Sequence, residues 1–128
     1  MIDNIRHKSI RKKTASRIAA IQILYLHQFN DQSLLESIST FDKNYKKFLL
    51  EKLEIKDLDI KLLSDLLKNF DENKNSYDAI IKKNLSKDWK IGRLGTNELN
   101  ILRLSVFELI FFKKFDKKTI INEYVSIF

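Results

Sequence analysis

Hydrophobic and polar residues alternate along this chain with the period of an α-helix, and the apolar positions are densest between residues 97 and 112. Gly95 interrupts the preceding segment, and Thr96 is a suitable N-cap because its hydroxyl accepts a hydrogen bond from a free backbone N–H. Glu98 follows in the first turn, where the helix dipole favours negative charge. Apolar side chains then cover nearly the whole circumference, which is typical of a buried helix. The pattern therefore predicts a buried central helix over residues 97–112.

A second helical pattern occupies the start of the chain. It predicts a helix over about residues 9–29 whose inward stripe has members spaced three or four apart, namely Ile18, Ile21, Tyr25 and Phe29. The polar residues 30–33 end this helix, and a short helix is predicted over residues 34–39. The next helix is predicted over residues 44–53, with buried side chains from Tyr45, Phe48 and Leu49.

The remaining segments are also amphipathic. A helix is predicted from about residue 57 that buries Leu58, Leu62, Leu66 and Phe70, with Leu63 and Leu67 flanking them. The polar residues 71–76 are either a break or an exposed turn of a longer helix, which ends near residue 87. The last helix begins near Lys117 and has apolar residues on one face, at Ile120, Ile121, Tyr124, Val125 and Phe128. Successive helices with short connections predict an all-α bundle of about six helices.

The composition supports this fold class. The chain has no proline and only two glycines, which favours helices over a turn-rich β fold. Its 128 residues suit a single domain, which we expect over residues 10–128 after a flexible basic leader of residues 1–9. Two small helical subdomains, residues 10–73 and 74–128, are the alternative.

Several classes of protein are disfavoured. The chain has no cysteine, which excludes disulfides and thiolate metal sites and is compatible with a cytoplasmic protein. No apolar run reaches the roughly 18–20 residues of a membrane span, and the N-terminus lacks the pattern of a secretory signal. His7 and His27 lie on separate parts of the sequence, and the acidic residues in the middle alternate with lysines. We therefore expect no catalytic residues, no metal site and no cofactor.

The distribution of charge indicates where a partner binds. The net charge is +7, and no acidic residue lies between Asp3 and Asp31, where the basic residues are Arg6, Lys8, Arg11, Lys12, Lys13 and Arg17. Such a basic segment is typical of a surface for a polyanion, although a solubilising tail has the same composition. Base selection in single-stranded RNA also requires hydrogen bonds and stacking. Arg17 offers both, and Tyr25 offers stacking if its ring reaches the surface rather than packing in the core.

Three separated motifs resemble the NusB family, which consists of small helical RNA-binding proteins of bacterial transcription antitermination. The first motif is the RIAAIQILY run of residues 17–25. The second begins at Trp89, continues through Arg93-Leu94 and ends in the ILRLSVFEL run of residues 101–109. The third is the INE tripeptide of residues 121–123. The resemblance spans about residues 10–128, with the middle third only loosely similar, and the order of the motifs makes it more specific than apolar helices alone.

The resemblance implies a NusB-like bundle and a non-catalytic antitermination factor. Such a factor binds boxA-like single-stranded RNA together with the ribosomal protein NusE, as part of the RNA polymerase antitermination complex on ribosomal RNA operons. The resemblance also implies RNA contacts along the first helix, at Arg11, Lys12, Lys13, Arg17 and Tyr25. It places Glu98 near a partner surface, although the helix dipole accounts for this residue equally well. Arg103 and Glu108 belong to the central-helix signature, and we expect both to be structural and paired.

The chain also departs from the family pattern. Lysines replace some of the usual arginines and lose their planar fork, which weakens base-specific contacts. Asp116 stands where the family usually has proline, and the family's last helix does not follow Phe128. Without that helix we expect an apolar surface on the Ile120–Phe128 helix, which favours lower stability or a homodimer. Two further hypotheses therefore remain: the RNA-binding domain of an RNA cytosine methyltransferase, present as a fragment, or a protein-interaction adaptor without RNA binding.

Overall fold

The computed structural model describes residues 2–85 and 90–128, with side chains from residue 8 onward, and confirms the all-α class. Within these ranges the chain forms seven α-helices, one more than expected, and no strand. They are α1 (Ile2–Phe29), α2 (Leu34–Asn44), α3 (Lys46–Lys52), α4 (Ile60–Lys68), α5 (Phe70–Asn84), α6 (Thr96–Val106) and α7 (Lys117–Ile127). A 3₁₀ turn (Ile91–Arg93) precedes α6, and a π-helical segment (Phe107–Phe112) follows it. Trp89 of the family motif and the helix end predicted near residue 87 lie outside the described residues.

Helix α1 begins at Ile2, earlier than the start predicted near residue 9. Residues 2–9 contain neither glycine nor proline, so no helix breaker separates the predicted leader from the helix. The helix ends at Phe29, as predicted, and Asp31 then adopts the left-handed backbone conformation (φ 51°). Ser33 caps α2 by accepting a hydrogen bond from the Glu36 backbone N–H at 3.1 Å. Helix α2 itself continues beyond the short helix predicted over residues 34–39.

The chain divides into two compact units, one up to Leu67 and one from Lys68 onward. In the first unit, α1 packs against α2 and α3. Small residues of α1 permit this close packing, because Ala15, Ala19 and Ala20 are fully buried. The segment before α4 is fixed to α1 by a hydrogen bond of 2.8 Å from the Asp59 backbone N–H to the Ser16 hydroxyl.

Helix α4 fulfils the sequence prediction for its buried residues, whereas α1 and α3 do not. The four side chains predicted to be buried from residue 57 onward are all buried, and so are the flanking Leu63 and Leu67. Of the predicted inward stripe of α1, only Ile21 is buried, and Phe29 is 71% exposed. In α3 the structure buries Leu49, but Tyr45 is 47% exposed and Phe48 is 70% exposed. The spacing of three and four residues places these three side chains on one face of the helix, but only Leu49 reaches the packed interior.

In the second unit, α6 packs against α5 and α7. Residues 71–76 belong to α5, so the polar cluster is an exposed part of a longer helix and not a break. Tyr77 of α5 lies edge-on to two rings of the π-helical segment, with centroids 6.3 Å from Phe107 and 5.5 Å from Phe111. Burial raises the pKa of the Tyr77 hydroxyl above its ordinary value, and a hydrogen bond with Asn73 acts in the opposite direction.

The predicted central helix differs from expectation at both ends. Gly95, not Thr96, is the N-cap, and it makes no side-chain capping bond. At the other end the helix widens into a π-helical segment, where the Lys113 backbone N–H donates to the Glu108 carbonyl at 3.0 Å. The prediction of a helix buried all round is wrong, because Ile110 and Phe111 of the widened segment are exposed.

The two charged residues of the central-helix signature are buried and paired, as predicted. Arg103 donates from Nε to Asp78 Oδ1 at 2.7 Å and from Nη2 to Asp78 Oδ2 at 2.9 Å, and its guanidinium lies 5.9 Å from the centre of the Phe70 ring. The Tyr124 hydroxyl donates to the carboxylate of Glu108. These contacts connect α6 to α5 and the π-helical segment to α7.

Helix α7 begins at Lys117, as predicted. The residue before it, Asp116, stands where the family usually has proline. Asp116 is the N-cap of α7 and accepts a hydrogen bond from the Thr119 backbone N–H at 3.3 Å. A capping carboxylate therefore starts this helix where a proline usually does. Of the predicted apolar face, Ile120 and Tyr124 are buried, whereas the exposed members are Ile121, Val125 and Phe128. Self-association through this exposed surface stays a prediction.

Candidate nucleic-acid interface

The basic residues of the first unit lie on one continuous helix. We call Lys8, Arg11, Lys12 and Lys13 the basic segment. All four belong to α1; Lys8 is exposed and the other three are half-buried. A rigid helix presents these charges at fixed spacing, which suits the regular phosphates of a nucleic acid.

Helical geometry separates the predicted RNA-binding residues into two groups. Each residue advances about 100° around the axis. Relative to Arg11, Lys8 lies about 60° and Lys12 about 100° around the axis in the same direction, whereas Lys13 lies about 160° away in the other direction, one turn before Arg17. Tyr25 returns to within about 40° of Arg11, four turns along the helix. Arg11 and Tyr25 can thus contact one strand with Lys8 and Lys12 beside Arg11, whereas Lys13 and Arg17 lie about 160° and about 120° from Arg11.

Arg17 is buried. Its side chain is 1% exposed, and it interacts within the protein. A buried arginine that is already engaged has a structural role in this unit. The structure therefore gives no support to the direct RNA contact that the sequence suggested for Arg17.

Arg11 and Lys12 differ in how they are engaged. Lys12 Nζ lies 2.9 Å from Asp57 Oδ1, but the two side chains are 42% and 65% exposed, so this ion pair is weak and open to competition by a phosphate. The Arg11 Nε is buried, and no described residue accepts its proton. Arg11 as a whole is half-buried, and the planar fork of its guanidinium is a good geometric match for a phosphate.

Aromatic rings lie further along the same side of α1. The Tyr25 and Phe29 rings stack with centroids 5.2 Å apart and planes 10° apart. Tyr25 is half-buried, and its stacking partner Phe29 is among the exposed apolar residues. The tyrosine therefore packs against a surface ring, which leaves this pair accessible to a nucleobase.

Glu98 belongs to the second unit. It is exposed in the first turn of α6, and its side chain folds back over Gly95, since a Cβ atom at Gly95 would lie only 2.0 Å from Glu98 Oε2. This position fits stabilisation of the helix start. The partner contact suggested for Glu98 stays a prediction.

One aromatic and basic surface was missed by the sequence analysis. Tyr45 and Phe48 were expected in the core, yet both rings are exposed, and Lys46 and Lys47 separate them in the sequence. The available signal was this alternation of aromatic and basic residues, because a core-facing turn rarely carries two adjacent lysines.

The described residues contain no cluster of histidine and acidic side chains that could hold a metal ion. The ring of His27 instead donates from Nδ1 to the backbone carbonyl of Gln32, where the chain turns after α1. No helix in the described ranges is long and apolar enough to cross a membrane.

Comparisons with known proteins agree with one another. The model of the NusB family matches residues 14–128. The transcription antitermination protein NusB of Clostridium botulinum (strain Loch Maree / Type A3) is 33% identical over 116 residues, covering 88% of this chain and 82% of the relative. The NusB protein of Novosphingobium aromaticivorans is 27% identical over 117 residues, covering 91% and 79%.

Two solved structures have the same fold. One is a crystal structure of the antitermination factors NusB and NusE in complex with double-stranded RNA; its similar chain has a TM-score of 0.66 and is 29% identical, with 91% of this chain and 80% of that chain covered. The other is a crystal structure of a plectonemic RNA supercoil. Its similar chain has a TM-score of 0.66 and is 30% identical, with coverage of 89% and 77%.

Proposed function

This chain belongs to the NusB family, and from that premise we propose that it is an RNA-binding transcription antitermination factor. The observation that supports this most directly is the side of α1 that combines Arg11 and the neighbouring Lys8 and Lys12 with the stacked rings of Tyr25 and Phe29. Cations followed by accessible rings are what a single-stranded RNA needs for phosphate contacts and base stacking.

The RNA that fits this surface is a single strand of the boxA type. The bases of a duplex are stacked on one another and read mainly through shape, whereas an unpaired strand can turn its bases toward protein rings. Arg11 and Lys12 would hold the phosphates, and Tyr25 would receive a base. The guanidinium of Arg11 adds directional hydrogen bonds that lysine lacks.

A second protein completes the specificity. One helix side offers few groups that discriminate between bases, so RNA binding by this chain alone is mainly electrostatic. We propose NusE as the partner, because a similar solved structure contains NusB with NusE and RNA. The complex would act with RNA polymerase to prevent termination on ribosomal RNA operons. In this mechanism the chain binds and positions RNA and carries out no chemical step.

Fluorescence anisotropy with a labelled boxA RNA and a scrambled control tests the proposal, with and without NusE. The double variant Lys8→Gln/Arg11→Gln removes two charges from the proposed surface. We expect it to bind boxA RNA about tenfold more weakly, because two solvent-exposed charge contacts of about 0.7 kcal/mol each together correspond to that factor. The control Lys117→Gln/Lys118→Gln removes the same charge from exposed positions on α7 and should bind like the wild type.

The outcomes separate the hypotheses. A preference for boxA over the scrambled RNA that increases with NusE supports the antitermination function. Equal binding to both RNAs, with and without NusE, contradicts sequence recognition and leaves only a basic surface. NusE binding without any RNA binding would instead support the protein-interaction adaptor.

A further inference from the structure

A cavity of about 150 Å³ opens between α1 and α3 in the first unit. Ile18 and Gln22 line it from α1, and Phe48, Leu49 and Lys52 line it from α3. An apolar cavity of this size accommodates one six-membered ring, as benzene binding in an engineered cavity of similar volume shows. The cavity therefore has room for one aromatic ring of a ligand.

The rings beside the cavity are exposed. Tyr45 and Phe48 border it, and only Leu49 at its base is buried. Exposed rings next to an apolar cavity offer two surfaces for stacking. Gln22 and Lys52 add an amide and an ammonium group to the lining. An apolar protein side chain would cover these polar groups without hydrogen bonds, whereas the edge of a nucleobase supplies donors and acceptors for them.

The charge around the cavity favours a polyanion. Residues 42–54 contain four lysines, Lys43, Lys46, Lys47 and Lys52, against the acidic Asp42, Glu51 and Glu54, and two of the lysines lie between the exposed rings. No ion pair involves these lysines in the part of the chain that the structure describes. Unpaired lysines beside exposed rings are the combination found on surfaces for single-stranded nucleic acid.

The cavity also continues the RNA surface of α1. Ile18 and Gln22 lie within about 20° of Arg11 around the helix axis. Gln22 is three turns beyond Arg11, which corresponds to roughly 16 Å along the axis. A strand held by its phosphates at Arg11 and running along this side of α1 therefore reaches the cavity.

We propose that the cavity between α1 and α3 is a second RNA subsite, in which one unpaired base stacks against Phe48 while the α3 lysines contact the neighbouring phosphates. This inference rests on the proposed RNA-binding function and extends it to a surface remote from the basic segment. Tyr45 forms the second ring of the subsite, and Gln22 bonds to the edge of the base.

The test uses the full chain and two labelled single-stranded RNAs that share the boxA sequence. The longer RNA spans the distance from Arg11 to the cavity, and the shorter one covers only the basic segment. The variant Phe48→Ala removes a ring that is 70% exposed, and the control Phe128→Ala removes a ring that is 65% exposed elsewhere. Because neither ring is buried, both variants should keep the wild-type fold, which circular dichroism verifies.

We expect Phe48→Ala to bind the longer RNA roughly tenfold more weakly and the shorter RNA equally well, since a stacked base loses a contact of that size. Phe128→Ala should leave both affinities unchanged. Photo-cross-linking with thiouridine in the longer RNA should label a peptide that contains Tyr45 or Phe48.

Different failures have different meanings. If Phe48→Ala binds the longer RNA like the wild type and no cross-link falls on α3, the subsite is overturned while the RNA surface of α1 stands. If the wild type binds neither RNA, with or without NusE, both proposals fail. If Phe48→Ala weakens NusE binding but not RNA binding, the cavity belongs to a protein partner and the inference is wrong.

Discussion

Arg103 is almost completely buried, in an interior where a charge is stable only when it is paired. Its guanidinium meets the Asp78 carboxylate through two parallel hydrogen bonds and faces the Phe70 ring. The bidentate geometry fixes the distance between α5 and α6. A lysine could not reproduce it, because its ammonium group makes a single point contact.

The variant Asp78→Ala would leave this arginine without its carboxylate. We expect the free energy of unfolding to fall by about 3 kcal/mol, because removing one partner of a buried pair leaves an uncompensated charge. Urea unfolding followed by circular dichroism measures the change. Asp57→Ala is the matched control, since its pair with Lys12 is exposed and should contribute less than about 1 kcal/mol. Equal losses of unfolding free energy in the two variants would show that the Arg103–Asp78 pair contributes no more to stability than an exposed ion pair.

Burial of individual side chains in α1 was harder to predict than the helix itself. The spacing of large apolar residues placed Phe29 inside, yet Phe29 is exposed. The buried residues of α1 combine small or polar side chains with large apolar ones, namely Ala15, Ser16, Arg17, Ala19, Ala20, Ile21, Ile23, Leu24 and Leu26. Periodicity weights large hydrophobic residues, whereas close helix packing favours small ones. For the same reason Arg17 was assigned to RNA, because its burial depends on neighbours that the local sequence does not reveal.

Among the helices, the start of α7 was predicted correctly, the start of α4 was placed too early, near Asp57, and the end of α6 was predicted poorly. Helix α4 begins at Ile60, where Asp59 accepts a hydrogen bond from the Leu62 backbone N–H, and the Asp116 cap determines where α7 begins. The π-helical segment has no such signal. Its extra residue per turn follows from packing, because Phe107 and Phe111 both contact Tyr77 of α5. Local propensity does not encode a contact between separate helices.

The end of the π-helical segment gives a prediction about stability. Lys113 adopts φ 52°, a left-handed conformation that is strained for a residue with a Cβ atom. Glycine relieves this strain but gives the unfolded chain more conformational entropy. Because the relief of strain is the larger effect, Lys113→Gly should raise the free energy of unfolding by about 0.5–1 kcal/mol. Thermal and urea unfolding both measure this change.

The control for this variant places glycine where φ is negative. Asn122→Gly lies in α7, with an exposed side chain, and should lower stability by about 0.3 kcal/mol, the difference between two poor helix formers. If Lys113→Gly lowers stability by the same amount, the left-handed conformation is not strained at this position.

For the whole molecule, a net charge of +7 does not by itself define a binding surface. Charges on exposed side chains are screened beyond about 10 Å at moderate ionic strength, so distant lysines contribute little to a bound strand. What distinguishes the α1 side is the proximity of Lys8, Arg11 and Lys12 to one another, with accessible rings along the same helix. The family membership could be predicted from three motifs. The grouping of Lys8, Arg11 and Lys12 without Arg17 could not, because the local sequence does not show that Arg17 is buried.

The salt dependence of RNA affinity distinguishes a local surface from a general charge effect. If Lys8, Arg11 and Lys12 each neutralise one phosphate, the logarithm of the association constant should fall against the logarithm of salt concentration with a slope of about −2, since each contact on a single strand contributes about −0.7. Lys8→Gln/Arg11→Gln should reduce the slope to about −0.7, whereas Lys117→Gln/Lys118→Gln should leave it unchanged although the net charge falls equally. Anisotropy titrations across a salt series measure all three slopes. If both double variants reduce the slope equally, the total charge, and not the α1 surface, determines the affinity. A local surface would instead make the slope depend on which lysines are replaced.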